Sequence, residues 1–239
     1  MLMRLDKFLS DALQVSRQDA KKMLVSGKIF VDGKPAKKGD LKISDKTEVF
    51  ADGKKVEYKQ FVYIMLNKPK GVVSATEDKN DVTVTDIVKK DYPKRNLFPA
   101  GRLDKTSTGF VLITDDGVFA HNILAPKKHI SKEYLVTLDT PINNEVEKGF
   151  NEGVTLADGT ALKSAQLYKT ENPFVVRVVL RQGVYHQIKR MFGVFDIGVN
   201  ELHRTHIGGV ALDEGLKSGE YRELSESEFT EIYRQTNAN

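Results

Sequence analysis

FPAGRLDKTSTGFVLITDDG, residues 98–117, sets a polar, glycine-bounded loop directly against an apolar run. The run at 110–114 reads as a buried strand, and a loop at the mouth of a rigid strand is where catalytic side chains concentrate. The loop carries one acid, Asp104, beside Arg102, with Lys105, Thr106, Ser107 and Thr108 following. A carboxylate flanked by cations is a competent nucleophile or base. The triplet alone is weak evidence. Arg4-Leu5-Asp6 repeats it inside an amphipathic helix, where Asp6 reads as an exposed first-turn acid.

Outward from this stretch, short apolar runs alternate irregularly with helical periodicity. Strands are expected near 61–66, 110–114, 132–138, 163–169, 174–181 and 199–207, and helices near 84–90, 117–125, 143–150, 186–193 and 225–235. The turn at Ala157-Asp158-Gly159 and the lack of regular strand–helix–strand repeats predict an α+β domain with a mixed, mostly antiparallel sheet and peripheral helices.

The N-terminal quarter has a different grain. Leu5, Phe8, Leu9, Ala12 and Leu13 fall on one helical face. Ser16 with Asp19 marks the start of a second helix over roughly 16–26, with Ala20, Met23 and Leu24 inward and Gly27 as its stop. Asp32-Gly33 and Asp52-Gly53 are hairpin turns. The module is two helices and a small sheet. Residues 1–60 hold 14 Lys/Arg against 9 Asp/Glu, whereas the remainder holds 23 against 24, so the basic surplus sits here. Arg17 and Lys21, one turn apart, with Lys28, Lys34, Lys37 and Lys38 on the turns, suggest a footprint for a polyanion. Charge alone fits solvated lysines equally well. Lys54–Lys59 is polar and Val62–Leu66 apolar, which places a boundary near residue 60 and gives domains 1–59 and 60–239.

Composition excludes several chemistries. With no cysteine there is no disulfide, thiolate zinc site or cysteine nucleophile. Neither GxGxxG nor GxxxxGK[ST] occurs, so ATP or NAD dependence is not expected. His203-x-x-His206 has a metal-like spacing, but residues three apart on a strand face opposite ways and no third ligand is near, so no metal is expected. His186 reads as a polyanion-contacting or packing residue. No apolar run reaches the roughly 18 residues of a membrane span, nor is there an apolar signal core, so a cytoplasmic chain is expected. No heptad or long apolar stripe speaks for an oligomer, so a monomer is expected.

Four ordered segments carry a resemblance. GRLDKTSTGFVLITDDG resembles the catalytic motif of pseudouridine synthases, in the branch covering the RsuA-like and RluA-like families. NKPKGVVSAT (67–76), KEYLVTL (132–138) and QGVYHQIKRMF (182–192) resemble three further motifs of that family in the same order, and residues 3–43 resemble an S4 domain. The match spans nearly the whole chain. It departs at Gln182, where Glu is usual, and at Val184, where a basic residue is usual. Tyr185–Phe192 is closer to the branch acting on small-subunit ribosomal RNA.

The resemblance implies isomerisation of uridine to pseudouridine in ribosomal RNA, alone or in a partly assembled subunit, without a cofactor. It implies that Asp104 either attacks the anomeric carbon or removes a proton from the neighbouring sugar carbon. Tyr134 would stack on the target uracil, Lys189 would pair with Asp104, and Arg102 would hold the target nucleotide outside its helix. Further RNA contacts are expected from Arg17, Lys21, Lys34, Lys68, His186, Gln187 and Arg190.

Overall fold

The spacing of Leu5, Phe8 and Leu9 produces helix α1 (Leu5–Ala12), with all three side chains buried, in a computed structural model that describes residues 2–125, 130–156 and 158–237. Helix α2 (Arg17–Val25) begins where Ser16 Oγ accepts the Asp19 amide at 3.0 Å, which satisfies one of the free N–H groups of the first turn. Ala20 and Leu24 close over the α1 face. The Asp-Gly pairs at 32–33 and 52–53 both take positive φ at each residue, the two-residue hairpin geometry that follows strand twist. They join a four-stranded sheet in the order 34–35, 29–31, 49–51, 54–55, while Met3–Arg4 pairs with Lys42–Ile43.

Asp6 corrects the sequence reading. It is buried, gripped by Arg4 Nε and Nη2 at 3.0 and 2.8 Å, and the Arg4 hydrogen bonds hold its carboxyl below the usual range. Gly39 closes over it: a Cβ there would lie 2.9 Å from Asp6 Cβ.

The chain divides into two compact units. The first runs to Phe61 and also takes Lys90–Asn96. In that returning segment the Lys94 ammonium donates to the Val15 carbonyl and Ser10 Oγ, and Arg95 Nη2 donates to the Lys59 carbonyl at 2.6 Å.

The second unit, Val62–Lys89 with Leu97–Asn239, is built on a nine-stranded sheet. Its main path runs 166–169, 175–180, 132–138, 199–207, 108–114, 63–68, 221–223, with short strands 98–99 and 210–211 at its flanks. Among the described residues every strand pairing of this sheet is antiparallel except one: strand Val199–Ile207 lies parallel to Thr108–Thr114, with His203 opposite Thr108 and Arg204 opposite Gly109. Gly109 is required at this junction. Its φ is +100°, and a Cβ would stand 2.4 Å from the Arg204 carbonyl oxygen.

Helix α3 (Val84–Val88) starts with a complete Thr83/Asp86 capping box. Helices α4 (Gly117–Leu124) and α7 (Glu226–Asn237) enclose a core of Phe110, Leu112, Phe119, Ile123, Ile207 and Ile232. Helices α5 (Asn144–Glu152) and α6 (Gln187–Gly193) enclose a second, around Val136, Phe150, Val178, Met191 and Phe192. Ile64, Met65 and Leu66 are all fully buried because their strand lies inside the sheet with both faces covered, which explains the unbroken apolar run. Ala157 of the expected turn lies outside the described residues. The pair flanking it, 154–155 with 161–162, and the two-residue strands 98–99 and 210–211 are additions to the sequence reading. No helix among the described residues is long and apolar enough to cross a membrane.

Candidate active site

The loop bearing Asp104 is fastened from beneath by the NKPKGVVS segment. Strand Tyr63–Lys68 ends with Lys68 on the same parity as Ile64 and Leu66, so its side chain turns inward and is 0% exposed. Its ammonium donates to the carbonyls of Ser107 at 2.7 Å, Pro69 at 3.0 Å and Lys105 at 3.5 Å. The Gly71 amide donates to the Lys105 carbonyl at 2.8 Å, and Ser74 Oγ both accepts from the Leu103 amide and donates to the Leu103 carbonyl. Arg204, also buried, approaches from the neighbouring strand: its Nε donates to the Phe110 carbonyl at 2.6 Å and its Nη1 to the Arg102 carbonyl at 3.5 Å. Backbone from 102 to 110 is thereby held by two buried cations.

Above this support the Asp104 side chain is 29% exposed, reachable but not freely solvated. Each carboxylate oxygen faces its own nitrogen. Oδ1 lies 3.2 Å from His186 Nε2, and Oδ2 lies 3.3 Å from Lys189 Nζ. His186 and Lys189 are three apart at the start of α6 and so project together. Lys189 also donates to Thr106 Oγ1 at 3.2 Å, which ties it to the loop it serves. His186 takes the left-handed conformation, φ 50° and ψ 32°, uncommon for a residue with a side chain.

Tyr134 lies one strand further on. It is half-buried against the α5/α6 core and sits directly opposite Arg204 in the register. Beyond it the pairing skips Thr205, so Glu133 faces His206. Such a bulge re-aims side chains beside a site. Lys132, on the Tyr134 face of the strand, donates to the Ile130 carbonyl at 2.9 Å. Burial pushes the Lys68 ammonium down to about 8; the Asp104 charge opposes this and Arg204 adds to it. Burial, with Arg204, pushes Lys132 to about 8 as well.

A pH dependence follows. Between about 8 and the ordinary lysine value near 10.4, the native protein binds fewer protons than the unfolded chain, so stability rises with pH. From pH 7.5 to 9.5 the urea midpoint should increase, each lysine contributing about 1–2 kcal/mol. Single-turnover rates should fall over the same interval as the charge under the loop is lost. A urea midpoint that does not rise would show that these ammoniums titrate as solvated lysines do.

The sequence-predicted residues divide clearly. Asp104, Lys189 and His186 come together. His186, expected only as an RNA-contacting or packing residue, is a direct partner of the acid. Arg102 is exposed at the loop, and Arg17, Lys21 and Lys34 are exposed on the first unit. Two expected RNA contacts are corrected. Lys68 is sealed beneath the loop, and Gln187 is 4% exposed, with its Oε1 accepting the Val184 amide at 3.2 Å and its Nε2 near Met191. Arg190 is paired with Asp158. Arg204 was missed because a strand arginine ordinarily reads as surface; its parity with Leu202, on the α6 side, was the available signal. His203 donates to or accepts from Thr108 Oγ1 at 2.8 Å, and His206 stands 3.6 Å from Glu133, which gives both histidines roles within the sheet.

Comparison with known proteins finds matches over most of the chain. A model of the RNA pseudouridylate synthase family matches residues 62–193, and an S4 domain model matches residues 3–49. The chain is 42% identical over 234 residues to the ribosomal small subunit pseudouridine synthase A of Yersinia pestis, covering 96% of this chain and 98% of that one. It is 41% identical over 235 residues to an uncharacterized RNA pseudouridine synthase of Aquifex aeolicus, covering 97% of both. A crystal structure of a pseudouridylate synthase superposes with a TM-score of 0.68 at 36% identity, covering 96% of this chain and 99% of that one.

Proposed function

Because the chain belongs to the RNA pseudouridylate synthase family, we propose that it converts one uridine of small-subunit ribosomal RNA to pseudouridine, with Asp104 as the catalytic group. The observation that carries the assignment of Asp104 is its geometry: one partly exposed carboxylate, each oxygen facing a separate nitrogen donor, on a loop anchored by buried cations.

The reaction is an isomerisation. Uracil leaves the anomeric carbon of its ribose, turns, and rejoins through a ring carbon, so no atom enters or leaves overall. The carboxylate of Asp104 acts on the sugar, at the anomeric carbon or at the hydrogen of its neighbour. Lys189 and His186 aim that carboxylate, since a charge-assisted pair is both stronger and more directional than a neutral one. Tyr134 supplies an aromatic face for the base and a hydroxyl for the proton that the ring carbon sheds. Arg102, exposed beside the acid, holds the extruded nucleotide, whose unstacking costs a few kcal/mol that protein contacts must offset.

Residues 1–59 serve as the S4 RNA-binding domain and 60–239 as the catalytic domain. Arg17, Lys21 and Lys34 are exposed and suited to phosphate, which supports recognition through RNA shape and backbone. The proposal places a monomer in the cytoplasm, acting on ribosomal RNA free or in a partly assembled subunit.

Pseudouridine maps of ribosomal RNA from cells with and without this protein test the substrate. One signal should disappear from the small-subunit RNA and return when the protein is restored. Loss from the large-subunit or transfer RNA instead would overturn the small-subunit assignment.

A further inference from the structure

One aromatic side chain near Asp104 is left unused by the reaction just described. Tyr185 is 74% exposed, the most exposed aromatic side chain among the described residues. Its ring is stacked on the His186 imidazole, with centroids 3.8 Å apart and planes inclined by 16°. The lower ring of this couple reaches Asp104 through Nε2 at 3.2 Å. The upper ring therefore presents a flat apolar face to solvent at the edge of the catalytic loop.

Core packing does not account for it. A tyrosine this exposed removes little apolar area from water, so it adds little to folding. The adjoining His186 holds an unfavourable left-handed backbone, a feature that persists where the surroundings over-determine it and that clusters at ligand-binding sites. What the arrangement does achieve is a two-ring ledge whose inner ring is held at its edge by the catalytic acid itself.

We propose that Tyr185 is a stacking platform for the base immediately flanking the target uridine. The inference rests on Asp104 being the catalytic group. A uridine drawn out of its helix to reach Asp104 breaks the stack with its neighbours, and the exposed neighbour needs a new aromatic surface. Aromatic side chains are how proteins recognise unstacked RNA bases. Tyr185 offers one, stacked on the imidazole whose Nε2 lies 3.2 Å from the carboxylate. The occupied ledge also steadies His186 from above, so that RNA binding at the flank fixes the imidazole over Asp104 Oδ1. Tyr185 is a binding residue and His186 a positioning residue in this scheme. Arg102, exposed on the loop that carries Asp104, supplies charge for a neighbouring phosphate.

The test uses the full chain and an RNA stem-loop cut around the uridine it converts, with 2-aminopurine placed at each flanking position in turn. Asp104→Asn serves as the background, so that the RNA is bound but not turned over. Binding should quench the fluorophore at one flank. Tyr185→Ala should abolish the quench and raise Kd roughly 5- to 100-fold, the span expected for one stacked base. Tyr185→Phe, which keeps the ring, should restore both.

An RNA abasic at that flank should bind the parent protein as weakly as intact RNA binds Tyr185→Ala, with no further loss when the two changes are combined. Equal affinities for the Ala and Phe variants, or an Ala penalty that persists undiminished on the abasic RNA, would overturn the platform. Conversion of uridine by the Asp104→Asn background would instead reject the assignment of the acid, whatever the fluorescence shows.

Discussion

Asp104→Asn should reduce pseudouridine formation by about 10⁴-fold or more, the scale seen when the group that performs the chemistry is removed from an active site. The substitution keeps the shape of the side chain and changes its charge and basicity. An amide neither attacks an anomeric carbon at a useful rate nor takes up a proton from the sugar, so both routes stop at the same residue. The fold should tolerate the change. The carboxylate is partly exposed, and the backbone around it is held by Lys68, Ser74, Gly71 and Arg204 through main-chain groups that an asparagine leaves untouched.

Affinity for RNA should hold or tighten slightly, because one negative charge is removed from a site that must accept phosphates. Single-turnover assays with chemical labelling of pseudouridine, run beside filter binding and thermal melts, separate these effects. Asp104→Ala is the companion variant, free of any conversion of Asn back to Asp. Turnover within tenfold of the parent in both would rule out the mechanism. A large fall in melting temperature would instead assign Asp104 a structural role.

The legibility of this site in the sequence was uneven, for physical reasons. Alternation and helical periodicity located the long elements, since burial on one face leaves a repeating mark. Strands 132–138 and 199–207 were legible to the residue. Strands of two residues, such as 98–99 and 210–211, are too short to carry a period and are defined only by the strand they pair with. Lys68 was misread because Asn-Lys-Pro-Lys looks like a solvated loop, although parity with Ile64 and Leu66 already turned its side chain inward. Gln187 was misread in the same way; it lies four residues from Met191 on the inner face of α6. Asp6 was beyond local reading altogether, since Gly39 and the strand at 42–43 that accompany its burial lie more than thirty residues away. The return of Lys90–Asn96 to the first unit has the same character. Its residues are polar and its partners, Val15 and Lys59, are far off in sequence. Asp104 became specific only through the ordered set of motifs. The structure supplies the reason for the set, because NKPKGVVS and QGVYHQIKRMF converge on the one loop from below and above.

Gly109→Ala should have the largest effect on stability of any single methyl added to this protein's active-site region. At the single parallel pairing of the sheet the backbone of Gly109 runs so close to Arg204 that a Cβ would lie 2.4 Å from its carbonyl oxygen, 2.7 Å from its nitrogen and 3.0 Å from its carbonyl carbon. These are backbone atoms of a strand paired on both sides, so relief requires parting the strands, not turning a side chain. The φ of +100° adds a conformational penalty of its own.

Gly219 provides the control. It has a φ of +87°, and an added Cβ meets nothing within 4 Å, so Gly219→Ala isolates the conformational part. That part should cost about 1 kcal/mol. Gly109→Ala should cost about 3–5 kcal/mol, in the range reserved for substitutions that break a packed core or a strained backbone. Because Arg204 grips the carbonyls of Arg102 and Phe110, any molecule that does fold should also carry a displaced Asp104 and turn over slowly. Urea denaturation of both variants decides the matter. Equal midpoints for the two would mean that the strands part freely, and that the junction places the catalytic loop far less rigidly than its packing implies.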